Sequence, residues 1–489
     1  MVAETSALAG LEPRAFWEHF ERLSAVARPS RGEEPAIAHV RAWGAERGYE
    51  VRQDAAGNVV FDVPASPGRE PAPTVVLQAH LDMVCERRPD SPNDAAEGRI
   101  ELVVDGDWVG ASGTTLGADD GVGIAAMMAA AEDPSLEHGP LQLLMTVAEE
   151  VGLEGANGLD GSLVDGSILL NLDSGRDGRL TVGCAGSTDT WLRIPERREP
   201  LDGDARLLAV AVSGGLGGHS GGNIHVGRAN AIKVLGHMLL DAPFRLVSLD
   251  GGKSRNAIPR DAHAVVAVPR EREVVFRSAV ESSAAIVRKA FATSDPGVTV
   301  AVEPAGPAPD AWTEHGTARL LDALALVPTG PIAMSADFRG VVETSTSLGR
   351  AVTDGDVLAL QSLSRSANDA ALAAVIATLH AAARLAGGEL EVQHNYGGWR
   401  PNLGSPALAT AQRVYESLFG EPPVVTIVHG GLEPAVIGDK VPGLDMISFG
   451  PQIEAPHSPD ERLGIASVGR FMQLLAGLLE ELSRRPAES

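Results

Sequence analysis

Three apolar stretches of this chain, residues 74–79, 141–147 and 167–172, each run directly into ionisable side chains. The first leads to His80 and Asp82, the second to Glu149 and Glu150, and the third to Asp173. Apolar runs of that length without polar alternation predict strands covered on both faces, as in the parallel layer of an α/β fold. In open sheets of that kind the carboxyl ends of the strands line the ligand crevice. A chain patterned this way therefore gathers imidazole and carboxylate at one edge of a sheet.

The rest of the pattern fits around that edge. Phe16, Phe20 and Leu23, then Ala36, Val40 and Trp43, recur at helical spacing and predict two opening helices. A strand is expected over 58–63 and a helix over 122–131. After Gly186 the texture changes to strand 205–213, helix 229–240, strands 244–249 and 262–268, helix 271–291 and strand 298–303. That β-α-β-β-α-β order predicts a ferredoxin-like sandwich. A looser half follows, with strands at 341–348 and 357–364, an Ala-rich helix at 367–386 and a strand at 389–394. The Pro-rich piece 304–309 reads as a surface loop. From about 397 the first texture returns, with helix 405–418, strands 424–428 and 446–449 and helix 465–482. The expected fold class is α/β: a discontinuous domain with a mostly parallel sheet (1–186 and 397–489) and an inserted α+β domain (187–396). A length of 489 residues suits two domains.

Composition narrows the partners. Forty basic against sixty-five acidic side chains give a formal charge of −25, which disfavours nucleic acid and anionic membranes and fits a small substrate. Cys85 and Cys184 form no disulfide framework. Residues 1–13 lack a leader pattern and no unbroken apolar run reaches membrane-spanning length, so the expected location is cytoplasmic.

The metal-competent residues extend beyond the strand ends. Asp119 and Asp120 follow Gly113-Thr-Thr-Leu-Gly-Ala, and His457 lies in Ala455-Pro-His-Ser-Pro-Asp-Glu461. Carboxylates mixed with imidazole suit zinc, manganese or cobalt. Taken singly, each is more often a solvated or structural group; the recurrence after separate strands and loops is what favours a metal site.

Here the chain resembles a known family. Gln78-Ala-His-Leu-Asp-Met-Val84, Gly113-Thr-Thr-Leu-Gly-Ala-Asp119, Ala148-Glu-Glu150, Asn171-Leu-Asp-Ser174 and Ala455-Pro-His-Ser-Pro-Asp460 resemble the metal-site motifs of the M20 metallopeptidases. Gly217-Gly-His-Ser-Gly-Gly222 and Arg255-Asn-Ala-Ile-Pro259 are similar to two of that family's lid motifs. Their combination and order are closest to the aminoacyl-histidine dipeptidases. The resemblance implies a catalytic domain holding two divalent metals, zinc first with manganese or cobalt as alternatives, and an inserted lid and dimerisation domain. It makes Asp119 the bridging carboxylate, with His80 and Asp173 on one metal and Glu150 and His457 on the other. Asp82 would hold the His80 ring, and Glu149 would be the general base on the metal-bridging water. His219 would stabilise the oxyanion, reaching the site from a neighbouring subunit or lid half, which implies a homodimer.

On the substrate side, Asn256 and Arg365 resemble residues that hold a C-terminal carboxylate. Gly431 sits in a loop beside the substrate, and Glu433 is a candidate for the free amine. Asp120 stands where these dipeptidases more often have Asn, and a cis peptide is common at that step. Ser174-Gly-Arg-Asp177 and Pro434 also depart from the pattern, on the substrate side. The implied activity is hydrolysis of unblocked dipeptides, including Xaa-His such as β-alanyl-histidine. Alternatives are an N-acyl amino acid deacylase or carboxypeptidase-like amidohydrolase of the same family, and a catalytically silent scaffold.

Overall fold

The computed structural model describes residues 7–201, 203–240 and 243–484. Residues 1–6, on which the reading of the N-terminus partly rests, lie outside them. Two compact units are present: Met1–Gly183 with Trp399–Ile427 and Leu432–Ser489, and Cys184–Gly398 with Val428–Gly431.

The first unit is built on an eight-stranded sheet. Its order is Glu50–Gln53, Val59–Val63, Leu141–Thr146, Val75–His80, Ile168–Asn171, Asp445–Ser448, Arg179–Cys184 and Val424–Val428. The strands Leu141–Thr146, Val75–His80 and Ile168–Asn171 are buried at every residue, as their unbroken apolar runs require. These strands and Asp445–Ser448 run parallel. The sheet as a whole is mixed, because Glu50–Gln53 and Val59–Val63 form an antiparallel hairpin that also pairs antiparallel with Leu141–Thr146. The hairpin's turn is fixed by Asp54, whose Oδ1 accepts from the amides of Ala56, Gly57 and Asn58. Arg14–Ser24 packs on Ala118–Glu132, and Ile465–Ser483 packs on Pro406–Phe419.

A separate four-stranded sheet in this unit matters for the site. It orders Ile453–Glu454, Arg462–Gly464, Trp108–Ala111 and Leu102–Asp105. Pairing of Arg462–Gly464 with Trp108–Ala111 brings the late 455–461 segment beside the loop that leads to Asp119.

The second unit holds a nine-stranded antiparallel sheet with two β-α-β-β-α-β modules. One contains Ala205–Ser213, helix Ala231–Leu239, Arg245–Gly251, Ala262–Pro269, helix Glu273–Ala290 and Thr299–Pro304. The other contains Gly186–Pro195, helix Glu314–Leu326, Val342–Asp354, Val357–Ser366, helix Asp369–Ala386 and Glu389–Tyr396. The first module is inserted after the opening strand of the second, and their sheets join where Gly251 pairs with Ala351. The looser half expected from sequence is thus a complete second module. Its opening strand escaped notice because it begins Gly-Ser-Thr-Asp-Thr, a polar run that is nonetheless buried.

Helix Asp369–Ala386 is long and apolar enough to cross a membrane. A search for unbroken apolar runs passes over it because Asp369, His380 and Arg384 interrupt it. It buries Leu372, Val375, Ile376 and Leu379 and packs on strands Gly186–Pro195 and Val357–Ser366.

Lys233 shows how this unit closes a helix end. Its buried ammonium donates to the carbonyls of Leu324, Ala325 and Val327 at 2.6, 2.8 and 2.8 Å. These acceptors lie at the end of helix Glu314–Leu326, where carbonyls lack intrahelical partners. Lys233→Met keeps the stem and strands the acceptors, so we expect a loss of about 3 kcal/mol in urea unfolding. Metal content should be unchanged.

Candidate active site

The parallel strands deliver their terminal side chains to one place. His80 closes Val75–His80, and Asp173 lies just past Ile168–Asn171. After Leu141–Thr146 the chain turns through Ala148, whose φ of 50° lies in the left-handed region, and presents Glu149 and Glu150. His457 also has left-handed backbone, with φ 60°. Asp119 stands between the two imidazoles: Oδ1 is 3.2 Å from His80 Nε2 and Oδ2 is 3.2 Å from His457 Nε2. His80 Nε2 is 3.9 Å from Asp173 Oδ1, and His457 Nε2 is 2.9 Å from Glu150 Oε1. Three groups have ligand atoms within 4.8 Å of one another: His80–Asp119–Asp173, Asp119–Glu150–His457 and His80–Glu149–Glu150. Asp119 belongs to both groups that contain an aspartate.

Asp82 underpins this arrangement. Its buried carboxylate accepts from Ser30 Oγ at 2.7 Å and from the amides of Glu149 and Glu150 at 2.9 and 3.2 Å. His80 Nδ1 lies 3.1 Å from the Asp82 carbonyl and 3.4 Å from its Oδ1, so Nδ1 donates to Asp82 and Nε2 is directed at Asp119. Burial pushes the Asp82 pKa up, but His80, Ser30 and the Glu149 amide outweigh it and hold it at about 2.

Three supporting residues were not given roles by the sequence pattern. Arg28, fully buried, donates to the carbonyls of Leu81, Asp82 and Gly117. Glu33 accepts from the amide of Ala148 at 2.9 Å. Glu461 accepts from the amides of Leu116 and Gly117, both at 2.8 Å, and of Asp119 at 3.2 Å. Glu461 ends the motif that supplies His457, which was the available signal; Arg28 and Glu33 lie between the opening helices in a polar stretch with no period. Gly117 has φ 73°, and a Cβ there would sit 2.5 Å from Arg28 Nη2. Glu461→Gln keeps the volume but turns a donor towards the amides that set Asp119. We expect metal affinity to fall roughly 10- to 100-fold by competition with a chelating dye.

The electrostatics fit divalent cations. Burial raises Glu149 well above the carboxylate range, with Glu150, Glu433 and Asp119 adding to it against an opposing effect of His80. Asp173 is raised by burial, with Asp119 and Asp120 reinforcing it. Glu150 is raised by burial despite its bond to His457. His457 is raised to about 11 by its bonds to Asp119 and Glu150. Buried carboxylates thus outnumber the imidazoles that face them, and divalent cations would neutralise the excess. The nitrogen and oxygen donor set is one that zinc, manganese and cobalt accept. Asp120 takes another part: it accepts from the amides of His80 and Gly123, and the Asp119–Asp120 peptide is cis.

Glu433 lies within electrostatic reach of His80, Asp82 and Glu149. It is fully buried, and Oε2 accepts from Gln78 Nε2 and Thr146 Oγ1, both at 2.6 Å. Burial pushes its pKa up to about 7. Its side chain lies among the strands of the first unit, with Oε1 left without a hydrogen-bond partner.

The second unit gathers its own polar group. Gly218–His219 pairs with Ala257–Ile258, and the Ser220 amide donates to the Asn256 carbonyl at 2.8 Å. The amides of Gly221 and Gly222 donate to His219 Nδ1 at 3.3 and 3.0 Å, which assigns the ring proton to Nε2. Gly221 is required there, since a Cβ would lie 2.4 Å from the His429 carbonyl oxygen. Arg365 is buried in strand Val357–Ser366, and its Nε has no hydrogen-bond partner. His429 is held neutral, at about 3, by burial and by the charges of Arg365, His219 and His225; its Nε2 is 2.7 Å from Ser345 Oγ. Gly431 packs so closely on Tyr396 that a Cβ would lie 2.2 Å from its hydroxyl.

The pattern that defines peptidase family M20/M25/M40 matches residues 76–481. The cytosol non-specific dipeptidase of Escherichia coli (strain K12) is 36% identical over 481 residues, covering 98% of this chain and 99% of that one. The solved aminoacylhistidine dipeptidase from Vibrio alginolyticus superposes with a TM-score of 0.87 at 35% identity, covering 98% of both chains. A tripeptidase from Staphylococcus aureus superposes with a TM-score of 0.60 at 16% identity, over 97% of this chain and 100% of that one, and shares the fold alone.

Proposed function

Because the chain belongs to peptidase family M20/M25/M40, we propose that it is a metal-dependent dipeptidase acting on unblocked dipeptides, Xaa-His among them. The observation that carries this reading is the Asp119 carboxylate, with one oxygen towards His80 and the other towards His457. On this reading His80, Asp119 and Asp173 hold one cation, and Asp119, Glu150 and His457 hold a second, zinc before manganese or cobalt. Two such ions, when bound there, would polarise a scissile carbonyl and lower the pKa of an attacking water.

The protein's own groups do the rest. Glu149 takes the proton of the attacking water and returns it to the leaving amine. Asp82 fixes Glu149 through its amide and keeps the His80 ring in its ligating tautomer. His219, with its proton on Nε2, is assigned as the donor to the developing oxyanion. Arg365, buried with Nε unpaired, is assigned to the substrate carboxylate, with Asn256 beside His219, and Gly431 is assigned to the loop beside the substrate.

The two relatives at 35–36% identity are dipeptidases by name, and the similarity to them spans nearly the whole chain. That favours dipeptides over N-acyl amino acids, and the complete set of His80, Asp119, Glu149, Glu150, Asp173 and His457 disfavours a silent scaffold. A cytoplasmic location and a homodimer through the second unit belong to the same proposal. Sedimentation at twice the chain mass of 50.8 kDa would support the homodimer.

The test compares β-alanyl-histidine and alanyl-histidine with their N-acetylated forms, using chelator-treated protein with zinc or manganese added back. We expect only the free-amine compounds to be cleaved, and only with metal. Cleavage of the acetylated forms alone would make the protein a deacylase instead.

A further inference from the structure

The segment that carries His219 is hung at both ends from one carboxylate. Asp295 is 1% exposed; its Oδ1 accepts from the Leu216 amide at 2.9 Å and its Oδ2 from the Ala229 amide at 3.2 Å. Between those amides lie Gly217-Gly-His-Ser-Gly-Gly222 and one turn of 3-10 helix, Ile224–Val226. Such a glycine-rich stretch has little local stiffness, and holding its ends together carries a loop-closure cost. A carboxylate receiving one N–H on each oxygen offsets that cost with two charge-assisted bonds.

Asp295 is itself held in place. Its amide donates to the Phe291 carbonyl at 2.9 Å, just past helix Glu273–Ala290, and its carbonyl accepts from the Val298 amide. Within the loop, Arg228 Nη1 donates to the Gly217 carbonyl at 2.5 Å and the His219 amide to Asn223 Oδ1 at 3.0 Å, and just before it Arg260 Nε donates to the Gly215 carbonyl at 2.9 Å. These contacts shape the loop. Asp295 alone among them receives the amides of both ends.

We propose that Asp295 is the positioning residue for His219, clamping both ends of the 216–229 loop so that the imidazole is presented in one place. The proposal rests on the assignment of His219 as oxyanion donor, and Asp295 itself touches no reacting atom. Asp295→Ala should lower kcat for alanyl-histidine roughly 10- to 100-fold with little change in KM, since a displacement of about 1 Å in a stabilising group costs on that order. Asp295→Asn keeps one acceptor and should fall between the two, which also serves if the alanine variant folds poorly.

Two readouts separate positioning from general damage. In a His219→Ala background the Asp295→Ala change should lower kcat by less than about twofold, as expected for residues that act as a unit. Hydrogen exchange of the 216–229 amides should rise in Asp295→Ala while bound metal is unchanged. An equal kcat loss with and without His219, or unchanged exchange in the loop, overturns the proposal. If His219→Ala alone keeps full kcat, the oxyanion assignment fails and the proposal falls with it. Increased exchange in the same experiment would show that the clamp itself is still real.

Discussion

Glu149→Ala is expected to lower kcat for alanyl-histidine by about 10³- to 10⁴-fold, with the metal content unchanged and KM within a few-fold. Glu149 is placed by its backbone: its amide is bound to Asp82 Oδ1, and the preceding Ala148 is locked in left-handed geometry by its own amide bond to Glu33. The side chain groups with His80 and Glu150, yet it is absent from both groups that contain Asp119. On the proposed reading that would leave it free to carry a proton while the others hold cations. Glu149→Gln keeps size and burial and removes only the basicity, so it should be nearly as inactive as the alanine variant. Activity within tenfold of wild type in either variant would remove Glu149 from the base role. A matching loss of metal would make it a ligand instead.

Asp119→Ala is expected to abolish measurable turnover and to lower bound metal below two ions per chain. Its two oxygens serve the His80 group and the His457 group, so one truncation damages both. His457 should suffer most: its side chain is 48% exposed, and its contacts there are to Asp119 and Glu150. His80, buried and held from behind by Asp82, should keep its orientation. Metal analysis after dialysis against a weak chelator distinguishes the outcomes. Two retained ions with full activity would show that Asp119 is not shared.

The contrast between these residues and their supports explains what the sequence could reveal. His80, Glu149, Glu150 and Asp173 are legible because each follows an apolar strand by a few residues, and strand ends converge by the geometry of the parallel layer. Asp119 and His457 are far apart in sequence and meet through the small sheet that pairs Arg462–Gly464 with Trp108–Ala111, short strands with little periodic signature. Arg28, Glu33 and Asp295 work through backbone amides and carbonyls, so nothing in their neighbours' side chains announces them. The loop motif gives the proximity of Glu433 to the site but not its bonds to Gln78 and Thr146, which only burial of the side chain sets. The second module of the inserted unit leaves a weaker trace, since its first strand is polar in sequence and is buried by pairing with Val357–Ser366 and Glu389–Tyr396 and by helix Asp369–Ala386.

The central claim is that this cluster holds two divalent cations and that turnover depends on them. Zinc titration into chelator-stripped protein, with bound metal and alanyl-histidine hydrolysis followed in the same samples, tests it most directly. The account predicts no hydrolysis without metal and a plateau in activity at two ions per chain. Undiminished hydrolysis by metal-free protein, or none with both ions bound, would contradict it.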